Sequence, residues 1–145
     1  MFRDELGFLS NYDTFPFEMP LFGGTVASGE PAFNALKTLD SVERAEILTA
    51  ETPGQSKRLG RRATLRPGWN TGGRVRAMQQ VLVAKFAVPR LAELLEATGD
   101  LALVETNDWH DQFWGSCFCP AMPRHRVRTC SASCSWRSGM PAGRA

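Results

Sequence analysis

"GGRVRAMQQVLVAKFA", residues 72–87, carries the helical period that decides the fold class. Val75, Met78, Val81, Leu82 and Phe86 recur at three- and four-residue steps, which gathers them into one apolar stripe on a helix of 3.6 residues per turn. A stripe of this kind is buried against other elements, so it predicts a core-facing helix and not a ligand surface. Downstream, Pro89 restarts a helix in "VPRLAELLEATGD" and Gly99 stops it. "LALVE" (101–105) is short, apolar and flanked by turn residues, which predicts a strand.

Upstream of the stripe, helix-start signals follow one another. In "TPGQSKRLG" (52–60) Thr52 and Gln55 form a capping box, Pro53 takes the first helical position and Gly60 closes the helix. Asp40 with Glu43 opens "SVERAEILTA", and Ser28 is placed to cap "GEPAFNALKTL", with Pro31 still inside the tolerated first turn. Residues 1–27 are rich in aromatics, Gly and Pro, which favours short strands and turns. There is no internal repeat. The sum is an α+β fold, a single helix-rich domain with a few short strands.

A chain of 145 residues at 43% hydrophobic composition can bury one real core. The 17 basic residues nearly match the 15 acidic ones, so nothing in the overall charge demands a polyanionic partner. No apolar run approaches the roughly 20 residues of a membrane span, and "MFRDELGF" lacks a signal-peptide pattern. These features predict a soluble, cytoplasmic protein with no membrane partner.

Three stretches can carry chemistry. In "SGEPAFNALK" (28–37), Glu30 and Lys37 are seven apart, two helical turns, and share a face with Phe33 between them. They can be a solvated pair on an exposed face, or both can point into a cleft if a partner segment supplies a wall. In "WHDQFWG" (109–115), Asp111 between Trp109 and Trp114 can act as a general acid or base against flat apolar walls that stack a planar heterocycle. The plain alternative buries both indoles and leaves Asp111 capping a turn, with His110 a neighbour and not a ligand. The basic run "KRLGRR" (57–62) can hold phosphate through Lys57 or Arg61, near the N-terminus of the Thr52 helix. Arg3, close to Phe2 and Phe8, is a further phosphate candidate, and Trp69 in "RPGWN" is either a packing or a stacking residue.

Taken in order, "FLSN" (8–11), S-x-E-x-x-F-x-x-x-K (28–37), "PGQSKRLGR" (53–61), "LRPGW" (65–69), "VLVAKF" (81–86), "LVE" (103–105) and "NDWHDQFWG" (107–115) resemble the NADAR family, the YbiA-like N-glycosidases. The resemblance covers residues 1–118. It implies hydrolysis of a ribose–base N-glycosidic bond. The substrate it implies is either a phosphorylated ribosylamino-pyrimidine of riboflavin biosynthesis or ADP-ribosylated guanine, as a nucleotide or within nucleic acid. It also implies catalytic Glu30, Lys37 and Asp111, aromatic walls Trp69 and Trp114, and substrate contacts at Asn11 and Arg3. Pro31 and Asn34 depart from it, standing where His and Gln are common.

A ribosylamine carbon is at the aldehyde oxidation level, so its C–N bond breaks through an oxocarbenium-like state or a ring-opened imine. Two carboxylates can divide the work, one protonating the leaving nitrogen and the other activating water or steadying the sugar cation. Alternatively a desolvated Lys37 attacks C1′ and passes through a Schiff base. Neither route requires a metal or other cofactor. A non-catalytic ADP-ribose or nucleotide-binding module would use the same walls and basic groups.

The last 27 residues, 119–145, read differently. Residues 120–145 hold five arginines, no acid and no Leu, Ile or Phe. The C-x-C and C-x3-C pairs, even with His125, do not match a standard zinc spacing. Read two bases later with GC-rich codons, "RTCSASCSWRSG" (128–139) yields N/D-L-L-G-V-L-L-V/M-E-V-R, a match to the family's closing segment. The expectation is a frameshift shortly after residues 114–119 and a disordered, out-of-frame tail, which puts this polypeptide's own activity in question.

Overall fold

The computed structural model describes residues 2, 4–107, 111 and 113–117. Arg3, Trp109, His110 and the tail 119–145 lie outside the described residues. The chain divides into two compact units, Arg3–Ala97 in one and Met1–Phe2 with Thr98–Ala145 in the other.

The first unit opens with a 3-10 turn, Asp4–Leu9, followed by an antiparallel hairpin of β1 (Phe17–Met19) and β2 (Gly24–Val26) that pairs Phe17 with Val26. Gly23 turns the hairpin at φ 68°, a left-handed conformation open to glycine. Five helices follow: α1 (Gly29–Ala35), α2 (Ser41–Leu48), α3 (Pro53–Gly60), α4 (Arg74–Lys85) and α5 (Pro89–Ala97). Every residue of α1 is buried, because α2, α3, α4 and β2 all pack on it. Phe17, Met19, Val26, Ala32, Phe33, Leu36, Trp69, Ala77 and Val81 form the core. The α+β reading stands.

Local start signals act largely as read. Asp40 accepts hydrogen bonds from the amides of Val42 (2.8 Å) and Glu43 (3.0 Å), and Thr52 accepts one from the Gln55 amide (3.2 Å). The Gln55 side chain reaches the amide of Glu51 instead of Thr52, and Glu43 turns away to clamp Thr64 and Thr38. Those hydrogen bonds hold the Glu43 carboxyl below the usual carboxylate range. Ser28 sits at the cap of α1 without a capping bond from its side chain.

Two expectations need correction. The α4 stripe faces the core as read at Val81 and Phe86, with Met78 packed against it, but Val75 is 39% exposed and the buried residues of the helix add Ala77 and Lys85. "LALVE" is not itself the strand; the short parallel pair β3 (Thr106–Asn107) and β4 (Ser116–Cys117) begins one residue later. α3 does end at Gly60, as read, with a right-handed Arg61 at the cap position, but Gly60 itself is not left-handed. Its missing side chain serves packing: a Cβ there would stand 2.2 Å from the Asn34 Oδ1. Among the described residues no helix is long and apolar enough to cross a membrane.

Candidate active site

In the first unit, the predicted groups collect around α1. Glu30 is 8% exposed, so it is not a solvated surface carboxylate. Four residues on, one helical turn, Asn34 lies over it and donates to the Glu30 Oε1 (3.1 Å) and to the Glu30 carbonyl (2.9 Å). Asn34 is in turn locked by the close approach of Gly60 from α3. The Glu30 amide donates to the Asn11 carbonyl at 2.9 Å. The Asn11 side-chain amide reaches the Met78 Sδ at 3.5 Å, and its Oδ1 is buried with no hydrogen-bond partner among the described residues. The Ser28 Oγ, next to Gly29, is equally unpartnered. Buried polar atoms of this kind carry a desolvation cost that a ligand hydroxyl or water can offset.

Lys37 is half-buried, its Nζ 5.5 Å from the centroid of the Phe33 ring. Burial lowers its pKa; Glu30 opposes that shift, and Lys57 and Arg61 reinforce it. The electrostatic coupling therefore ties the basic run of α3 to the Glu30–Lys37 pair. Lys57 also stands 5.3 Å from the Tyr12 ring, a cation–π contact that orients its ammonium group. Arg61 is exposed. Trp69 is 6% exposed and its ring lies 5.4 Å from that of Phe33, so it backs the apolar surface on which Lys37 rests.

The second unit is described by itself. The Asp111 Oδ1 accepts the amides of Phe113 and Trp114, each at 3.0 Å, and Asn107 brackets its backbone with bonds of 2.6 and 3.0 Å. This is the turn-capping arrangement, and its second oxygen takes no part in those two bonds. Trp114 is 36% exposed and meets Phe113 edge-on at 4.6 Å, leaving an indole surface open to solvent. Gly115 is required for close approach, since a Cβ there would lie 2.6 Å from the Glu105 carbonyl.

Glu30, Lys37, Asn11, Lys57, Arg61 and Trp69 thus belong to one unit, and Asp111 and Trp114 to the other. Asn34, Tyr12 and Phe33 support the first group without having been singled out as site residues. The signal for Asn34 was its place one helical turn from Glu30.

The NADAR domain family profile matches residues 2–131. The NMR structure of the E. coli protein YbiA is similar, with a TM-score of 0.70 at 32% identity over 81% of this chain and 70% of that one. No curated protein matches the chain.

Proposed function

The chain belongs to the NADAR family, and from that premise we propose that it is an N-glycoside hydrolase that cleaves a ribose–base N-glycosidic bond. Its substrates are a phosphorylated ribosylamino-pyrimidine or ADP-ribosylated guanine. The observation that carries this reading is Glu30, a carboxylate buried to 8% exposure and braced by Asn34, next to an amine whose pKa is lowered by its own burial.

A carboxylate fixed in one rotamer and shielded from water is suited to pass a proton to or from a leaving nitrogen. The lowered pKa of Lys37 enlarges the neutral fraction of its amine, and only the neutral amine attacks an anomeric carbon. Attack at C1′ expels the base, protonated by an acid, as the Nζ gives up a proton; the C1′–O4′ ring bond then breaks, its oxygen taking a proton, to leave a ring-opened imine on the Nζ that water hydrolyses to free sugar and amine. Lys57 and Arg61 supply positive charge for a phosphate or pyrophosphate, and their field on Lys37 favours its neutral form. The same design also serves direct attack by water, with Lys37 reduced to a charge near the sugar. For Asp111 as the second acid and Trp114 as a stacking surface, the proposal rests on the sequence match. Trp69 contributes through Phe33.

Borohydride trapping separates the two routes. If Lys37 is the nucleophile, substrate plus borohydride leaves a stable covalent adduct on the protein that Lys37→Ala abolishes. Turnover without any adduct assigns the attack to water.

A further inference from the structure

The most unusual side chain in the first unit is one that the proposed chemistry does not use. Lys85, at the end of α4, is 0% exposed. Its position on the buried Ala77–Val81–Lys85 line could hold an apolar residue at no desolvation cost. Instead its Nζ donates to the backbone carbonyl of Ser10 at 2.7 Å, across 75 residues of sequence.

That carbonyl belongs to a turn that feeds the site from two directions. The Asp13 amide also donates to it (3.3 Å), and the Tyr12 amide donates to the Ser10 Oγ (3.1 Å), so Ser10–Asp13 is one hydrogen-bonded unit. The Asn11 carbonyl in that turn accepts the Glu30 amide, and the Tyr12 ring lies 5.3 Å from the Lys57 ammonium. Met78, two helical turns before Lys85 on α4, reaches the Asn11 side chain from the same helix. Gly29 admits the turn only because it lacks a Cβ, which would lie 2.6 Å from the Asn11 Oδ1.

We propose that Lys85 is a positioning residue for the Glu30 site: from the end of α4 it pins the Ser10–Asp13 turn, which sets Glu30 through Asn11 and Lys57 through Tyr12. The assignment rests on the function proposed above only for its kinetic consequence; its structural part stands independently. Lys85 touches no reacting atom. A hydrogen bond to a charged donor is stronger than one to a neutral donor, and a buried charge left without its partner is costly, so the turn and the lysine fix each other.

The test uses the full chain and Lys85→Met, read by backbone amide hydrogen exchange and by release of base from the two substrate classes. Exchange at Glu30 is expected to accelerate at least about tenfold while amides in α5 hold their protection, a local loss that general destabilisation would not produce. Turnover is expected to fall roughly ten- to hundredfold in kcat with KM changed by less than about threefold, since misplacement by an ångström costs on that order. Lys85→Gln, one bond shorter but still a donor, is expected to fold and lose less of both. Unchanged exchange at Glu30 in Lys85→Met, or a loss in Lys85→Gln as large as in Lys85→Met, overturns the assignment. If wild-type protein releases no base from either substrate, the proposed function fails, yet the exchange result still decides the role of Lys85.

Discussion

Lys85→Met also alters stability in a way that depends on pH. Burial lowers the Lys85 pKa to about 8 from the ordinary 10.5, and the nearby Asp13 charge only partly opposes the shift. Between those values the unfolded chain holds a proton that the folded chain has lost, so stability rises with pH across that window. Below about pH 8 the folded state carries the full cost of a buried ammonium. At about 1.4 kcal/mol per pH unit, the gap amounts to about 3 kcal/mol. Methionine removes that cost but takes the charged donor from the Ser10 carbonyl, leaving it the longer bond from the Asp13 amide, a loss of about 1–3 kcal/mol. Wild type and Lys85→Met are therefore expected to lie within about 1–2 kcal/mol of each other near neutral pH. By about pH 10 wild type should have gained about 2 kcal/mol on the variant. Urea unfolding followed by far-ultraviolet circular dichroism at several pH values measures the difference, and groups common to both proteins cancel in it. A difference that stays flat from pH 7 to 10 would refute the reasoning, because Lys85 would then titrate alike in the folded and unfolded chains.

Gly60→Ala drives a Cβ to within 2.2 Å of Asn34 and should cost about 1–3 kcal/mol, while Gly54→Ala on the same helix, with nothing nearer than 3.9 Å, should be neutral or gain up to about 1 kcal/mol. Thermal melts of the pair measure the contrast. Asp40→Ala removes both acceptor bonds at the start of α2 and should lower stability by about 1 kcal/mol in the same melts. Sequencing the coding DNA past residue 114 is expected to reveal an overlapping frame that encodes N/D-L-L-G-V-L-L-V/M-E-V-R; a clean frame without a long alternative rules the shift out.

What the sequence discloses is what local chemistry determines. Asp40 and Thr52 cap helices because a short side-chain oxygen meets an amide two or three residues on, and no distant partner is needed. Pro53 and Pro89 mark the helix starts by an equally local device, a fixed φ and no N–H to leave unpaired. Where a distant segment decides, local signals mislead. Lys85 counts as polar in any periodicity, yet it is buried against the Ser10 carbonyl, while Val75 in the apolar stripe stays exposed. Gly60 has the sequence signature of a helix stop, but its reason is Asn34 on a neighbouring helix. "LALVE" has strand composition, but the ladder begins only at its end, where the Glu105 carbonyl accepts the Ser116 amide. Around the site, Glu30 and Lys37 were legible from their seven-residue spacing, and the convergence of Lys57 and Arg61 on Lys37 needed the packing of α3 against α1. The brace from Asn34 and the clamp from Lys85 stayed hidden, because each depends on which face of a helix is buried.

Base release by wild type and Glu30→Gln, followed chromatographically with a phosphorylated ribosylamino-pyrimidine and with ADP-ribosylated guanine, is the most direct test of a hydrolytic Glu30. As the acid–base group, Glu30 requires that wild type free the base from one of the two. The glutamine variant should then lose at least about a hundredfold in rate while binding ligand almost as well. Tight binding with no base released by wild type, or full turnover by Glu30→Gln, would contradict it.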